Sequence, residues 1–255
     1  MVGSRIYVQD LTNCPTRAAS GPYFSKTTLY IVNSPTTGGT QTVYTAVHNG
    51  TNYIINAITQ CTPTIDGYTY PTVIINNKTW FSENLKTTIN RGGNSISSGI
   101  YNVNNNPSNT TDYGLLYVND NNTVLYLSTG NNELNSGLSL CPAGWHIPTD
   151  TEFTDLRTFL GGVLVAGGKM KETGLTYWDS PNTGADNSSG FKSRGAGYYN
   201  SPSYSLFKSE ADYWTTTSGA TVDTYYSYSL SKGNASAQRY SVSKYLGFSV
   251  RCIRN

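Results

Sequence analysis

The chain has 255 residues, 17 Lys and Arg against 15 Asp and Glu, and a net charge of +2. With charged residues at only 13% and nearly balanced in sign, it carries no electrostatic footprint for nucleic acid or an anionic membrane surface. No apolar run approaches the roughly 18 residues of a membrane-spanning helix.

Asn, Thr, Ser, Gly and Tyr dominate instead, with 21 tyrosines. That is a composition of β-strands joined by polar turns, of the kind found in extracellular or virion-surface proteins. The length exceeds what one small domain needs. A boundary near residue 62 divides it into a small all-β attachment module, 1–62, and a larger ligand-binding domain, 63–255.

The first residues, Met1-Val2-Gly3-Ser4-Arg5-Ile6-Tyr7, lack the basic and apolar regions of a signal peptide. The expectation is a leader removed beforehand, or delivery on a phage particle released by lysis. Four strands are predicted in the first module, at 5–11, 28–33, 41–48 and 52–59, where Tyr, Ile, Val and Thr are enriched between turn clusters. His48-Asn49-Gly50-Thr51 reads as a hairpin turn, with His48 an exposed strand end.

From 63 to 127 the pattern gives further strands, with Trp80 and Leu85 as core anchors and an Asn-rich surface loop at 102–111. Asn119-Asp120-Asn121-Asn122 offers too few carboxylates for a calcium loop, and two histidines without a Cys-x-x-Cys argue against zinc. No metal and no cofactor is expected. Four cysteines, Cys14, Cys61, Cys141 and Cys252, allow three pairings. If each domain closes its own bridge, the pairs are Cys14 with Cys61 and Cys141 with Cys252.

The strongest local signal lies at Cys141-Pro142-Ala143-Gly144-Trp145-His146-Ile147-Pro148-Thr149 and the segment after it. Thr149 and Glu152 form a capping box. Phe153, Leu156 and Leu160 line one helix face, and Gly161-Gly162 supplies the stop. Trp145 reads as core and His146 as a turn residue hydrogen-bonded locally. Glu152, Asp155 and Glu172 read as helix-associated charge, and without a second plausible base no catalytic set can be assembled around His146.

Other segments fall in order around this one. Upstream are Asp66-Gly67-Tyr68-Thr69-Tyr70, Val73 to Trp80 and Tyr113-Gly114-Leu115-Leu116-Tyr117. Downstream are Gly195-Ala196-Gly197-Tyr198, Tyr213-Trp214-Thr215-Thr216-Thr217 and Gly247-Phe248-Ser249-Val250-Arg251-Cys252. Over about residues 64 to 255 the chain resembles the Fibrobacter succinogenes major paralogous domain. The resemblance implies a β-rich α+β chain whose larger part is a compact C-type lectin-like domain with one clearly capped helix. A Cys141–Cys252 bridge would tie its central motif to the last strand, as lectin-like folds often do. The sugar-binding tripeptides of calcium-dependent lectins are absent, so calcium-dependent sugar binding is not implied. Enzymes of the related formylglycine-generating type use active cysteines, whereas Cys141 and Cys252 match structural positions.

The C-terminal third is rich in Tyr interleaved with Ser, Asn, Asp and Gly, the vocabulary of antibody paratopes. Tyr198, Trp214 and Leu230 match framework positions. The expected binding face is built by Tyr199, Asn200, Tyr204, Tyr226, Tyr228, Asn234 and Ser236, bordered by Tyr177, Trp178 and Asp179. This resembles the variable proteins of diversity-generating retroelements, in which adenine-directed change turns Asn codons into Tyr, Ser or Asp codons. The function expected is non-enzymatic receptor binding on a phage tail or fibre, hence at the virion surface. The partners would be a host-cell protein or glycan, other virion proteins through the first module, and further copies of the chain. The rival is a secreted or cell-surface bacterial adhesin or glycan-binding protein.

Overall fold

β-Branched and aromatic runs between polar turns make three strands in the N-terminal part: β1 (Thr28–Val32), β2 (Val43–His48) and β3 (Tyr53–Ile58). They form one antiparallel sheet in that order, with Ile31 opposite Tyr44 and Thr45 opposite Asn56. The computed structural model describes these strands and residues 63–119, 139–142 and 144–255. The predicted 5–11 strand, the turn residues 49–51, the Cys14–Cys61 pair and most of the 119–122 segment lie outside the described residues. The chain divides into two units, Met1–Thr62 and Pro63–Asn255.

The second unit opens with the hairpin β4 (Thr64–Ile65) and β5 (Tyr68–Thr69), then β6 (Thr72–Ile75) and β7 (Lys78–Phe81). Asn76 and Asn77, both at positive φ, make the two-residue turn between β6 and β7, a conformation that asparagine tolerates better than other side chains. Next come β8 (Ile100–Asn102), the one-turn helix α1 (Thr110–Tyr113) and β9 (Leu115–Val118). The 102–111 segment, expected as a loop, is largely exposed but built from successive helical turns. Asn104 and Asn105 take positive φ, the Asn106 side chain accepts from the Ser108 N–H, and Thr110 bonds Asn102.

β10 (Trp145–His146) leads into α2 (Asp150–Phe159), and a short α3 (Ala166–Met170) follows. The capping box is present: the Thr149 hydroxyl accepts from the Glu152 N–H at 3.2 Å, and Glu152 Oε2 accepts from the Thr149 N–H at 2.9 Å. Phe153, Leu156 and Leu160 are buried, and Gly161 and Gly162 take positive φ at the stop. His146 is a strand residue, not a turn residue. It contacts Glu152 Oε2 at 2.9 Å and, at the chain's far end, Asn255 Oδ1 at 2.6 Å.

Seven strands complete the unit: β11 (Tyr198–Asn200), β12 (Ser203–Ser205), β13 (Glu210–Ser218), β14 (Thr224–Ser231), β15 (Ala237–Ser243), β16 (Gly247–Phe248) and β17 (Ile253–Arg254). The sheets run β10-β17-β7-β6, β12-β11-β16-β9-β8 and β13-β14-β15. The fold is β-rich with few short helices. In the described residues no helix is long and apolar enough to cross a membrane.

Cys141 and Cys252 are joined, their Cα atoms 5.8 Å apart. The bridge lies among Phe81, Trp145, Trp214 and Phe248 in one core, and a second core packs α2 against Trp80, Phe191, Tyr213 and Tyr228. Between them sits Arg251, only 1% exposed. Its guanidinium donates to Asn84 Oδ1 at 2.6 Å, to the Phe81 carbonyl at 3.0 Å, to the Lys192 carbonyl at 2.9 Å and to the Phe191 carbonyl. Removing it would leave several buried acceptors unsatisfied. Arg251→Met should lower the unfolding free energy by at least about 3 kcal/mol, against about 1 kcal/mol for Thr149→Ala, in denaturant titrations. Equal losses would show that water replaces the guanidinium.

Burial works against the charge on Glu152, but the hydrogen bond and charge of His146 and the bonds from Thr149 outweigh it and hold the carboxyl down to about 2. A carboxyl lower in the folded than the unfolded state adds stability above its unfolded value, near 4.5, and loses it as pH falls toward 2. Glu152→Gln should therefore flatten the acid limb of the stability–pH curve between about 4.5 and 2, read by urea unfolding at each pH.

Candidate functional site

Strand alternation decides which C-terminal side chains can meet a ligand. Along β13, Ala211 and Tyr213 point toward α2, so Glu210, Asp212 and Trp214 point away. On β14, Tyr228 and Leu230 point toward α2, leaving Ser227 and Ser229 on the other face, with Ser229 opposite Asp212. On β15 the same face carries Tyr240 and Val242, opposite Ser227 and Tyr225. Two small serines in the middle of this face leave room beside the larger side chains.

That room is a cleft of about 320 Å³ between the β13-β14-β15 sheet and residues of β11 and β16. Its walls are Tyr198, Tyr240, Val242, Leu246 and Phe248, its floor carries Glu210, Asp212 and Ser229, and exposed Asn200 joins the lining. Asp212 is 5% exposed, and its Oδ2 has no hydrogen-bond partner. Burial, followed by the Glu210 charge, pushes its carboxyl up to about 8, against the weaker opposing hydrogen bond of the Ser229 hydroxyl. Burial also raises Glu210. Among the described residues no Lys, Arg or His lines the cleft. Among the described residues no cluster of three His, Cys, Asp or Glu could hold a metal ion.

Most of the predicted binding residues lie elsewhere, and the ten do not form one surface. Tyr228 is 1% exposed, stacked on Phe153 at 4.6 Å, with its hydroxyl on Thr154 and Asp150. Tyr226 is half-buried on that same helix-side face, under the Arg239 guanidinium at 3.4 Å. Tyr199 points away from Asn200 and is buried, stacked on Tyr101 at 3.7 Å, with half-buried Tyr204 directly opposite it on β12. Trp178 is fully buried and donates to the Ser193 carbonyl, and Ser236 is buried in the turn before β15. Tyr177 packs under Arg194, and Asp179, exposed, faces Lys232 at 3.7 Å. Asn234 is exposed but accepts from the Ser236 N–H, closing its own turn. Of the ten, only Asn200 lines the cleft, and Tyr198, read as framework, lines it too.

The face that lines the cleft is marked in the sequence Tyr226-Ser227-Tyr228-Ser229-Leu230-Ser231. With period two, the tyrosines and leucine share one face and the serines the other. The apolar face belongs to the core. Glu210 and Asp212, two apart on the next strand, fall on the serine side by the same rule.

Residues 73–254 match the family model described as the Fibrobacter succinogenes major domain. That is well over half of the chain, which belongs to this family. No curated protein and no solved structure matches it.

A carboxyl whose folded-state pKa lies above its unfolded value keeps its proton longer when folded, so stability falls as pH rises between the two values. For Asp212 that window runs from about 3.8 to about 8. Asp212→Asn should remove the fall and make the protein more stable than wild type at pH 9, by roughly 3–5 kcal/mol, measured by denaturant unfolding across the range. A wild-type profile flat over this window would show that the carboxyl is solvated.

Proposed function

We propose that residues 63–255 form a non-enzymatic binding domain of C-type lectin-like architecture that seats its ligand in the Tyr198–Tyr240 cleft. The observation that carries this reading is the cleft itself: aromatic walls and an unpartnered buried carboxyl on a sheet whose other face is committed to the core. Clefts that set apolar walls beside convergent polar groups are common places for ligands. The setting we propose is a phage tail or fibre, with the receptor on a host cell and the first module holding the chain to the particle. Family membership, low charge and the Tyr, Ser and Asn composition support it.

The raised Asp212 carboxyl also favours a second reading, a hydrolase in which Asp212 is the general acid and Glu210 its partner. Binding is preferred because Cys141 and Cys252, joined to each other, offer no thiol nucleophile. Labelled full-length protein titrated onto candidate host cells tests both. Tyr240→Ala should weaken binding at least about tenfold, as expected for a central aromatic anchor, and Asn200→Ala less. Tyr226→Ala, on the opposite face, should leave the affinity of the folded fraction unchanged. Binding that survives Tyr240→Ala would remove the cleft from the reading, and release of cleaved surface material that stops in Asp212→Asn would favour the hydrolase.

A further inference from the structure

The chemistry of the cleft narrows what it can hold. Its sides are apolar or aromatic over Tyr198, Tyr240, Val242, Leu246 and Phe248, while Glu210 and Asp212 gather two carboxyls at its floor without a basic residue in the lining. Resting on the reading that this cleft is the docking site, we propose that it takes a lysine or arginine side chain of a protein partner. The methylene stem lies along the aromatic walls and the cation sits over Glu210 and Asp212.

Three features point this way. Asp212 is 5% exposed, lines the cleft and has an unpartnered Oδ2, so the fold leaves a buried carboxyl unsatisfied there. The two carboxyls stand two residues apart on one face of β13, where the Glu210 charge adds to burial in disfavouring that of Asp212, and a cation beside them relieves it. The walls suit an amphipathic side chain with an apolar stem and a charged tip, and aromatic faces attract cations. A sugar fits less well. Its hydroxyls need donors and acceptors on several sides, and apart from the carboxyls the lining offers only the side chains of Asn200 and Ser229 and the phenols of Tyr198 and Tyr240.

Binding has a proton balance. In the empty cleft near neutral pH Asp212 is largely protonated, and the charged groups facing it reduce to Glu210 on its own strand, with Ser229 from β14, Tyr240 from β15 and Tyr198 from β11 around it. When the ligand cation seats, Asp212 releases that proton to solvent and becomes the carboxylate counter-ion. Affinity therefore rises with pH while the ligand cation stays charged, which lysine does to about pH 10.

The test uses the full chain and four probes: the N-acetyl methylamides of lysine, arginine and norleucine, and methyl glucosaminide. Binding is followed by the NMR resonances of the cleft aromatic rings. At pH 8.5 the lysine and arginine probes should bind at least tenfold tighter than norleucine, and their affinity should fall at least fivefold at pH 6. Asp212→Asn, close to isosteric and checked by its melting curve, should lose both the preference and the pH dependence. Glu210→Gln, at a half-buried position, should lose part of the preference and keep the pH dependence. Equal binding of norleucine, tighter binding of the amino sugar than of the lysine probe, or a preference that survives Asp212→Asn would overturn the inference. The two readings separate on cells. If Tyr240→Ala abolishes cell binding while the lysine probe neither binds nor competes, the docking site stands and the cation site falls. If cell binding ignores Tyr240, the docking site falls and the probe data judge the cation site alone.

Discussion

The second unit depends on how it solves one problem, the burial of the Arg251 guanidinium. Taking an unpaired cation out of water is expensive, and burial does pull its pKa down. Among the described residues no carboxylate forms an ion pair with it, so carbonyl dipoles do the work: Phe81 at the end of β7, Asn84 beyond it, and Phe191 and Lys192 far along the chain. The ring of Phe191 lies against the guanidinium at 4.5 Å. One side chain thereby fixes two stretches, 81–84 and 191–192, beside Cys252, whose bridge to Cys141 fixes a third. Lys171 repeats the device near the β14–β15 turn, its three donors taken by the carbonyls of Thr183, Ser231 and Asn234 at 2.7–2.9 Å. Both cations hold loops that no regular hydrogen-bond ladder would hold.

With the loops fixed in this way, the β13-β14-β15 sheet can serve two environments. Its helix-side face is filled by Tyr213, Tyr228 and Leu230 against Phe153 and Leu156. Tyr228 is anchored further by Thr154 and Asp150, and Asp150 takes a bidentate pair from Arg239. This face needs large side chains. The other face can afford small ones because β11 and β16 stand across it, and Ser227 and Ser229 leave the gap that becomes the cleft. Gly197 matters here: at positive φ it lets the chain pass close to the backbone of residues 205–207 before Tyr198 and Asn200 turn toward the gap.

Local chemistry made much of the fold legible in the sequence. The capping box at Thr149 and Glu152, the helix stop at Gly161-Gly162, the buried Trp80, Leu85 and Trp145, and three strands of the first unit all rest on short-range patterns that few tertiary contacts can override. The 102–111 segment was misjudged because asparagine serves helical turns as well as loops when positive φ is needed. The site was misread for a different reason. Tyrosine richness says that a surface of mixed polarity exists, but not which face of the strand shows it. Tyr226 and Tyr228 carry hydroxyls that looked like ligand contacts and are instead tied to α2 or packed beneath Arg239. What separates the two uses is which face packs on α2, and the alternation from Tyr226 to Ser231 carried that signal while the count of tyrosines did not.

The buried charges of this unit are therefore arranged asymmetrically. Its two most deeply buried cations, Arg251 and Lys171, are surrounded by carbonyl oxygens and serve the scaffold. Its most deeply buried carboxyl, Asp212, has Glu210 for a neighbour and a single serine hydroxyl for a side-chain donor. A carboxyl that costs stability at neutral pH is hard to explain by packing alone, since Asn or Ser would fit the same strand position with a smaller penalty. The unsatisfied carboxyl lies where the two sheets part, beside Tyr198, Tyr240 and Phe248. A cation brought by a partner would satisfy that carboxyl, which is why the proposed docking face rests on Asp212 more than on the number of tyrosines.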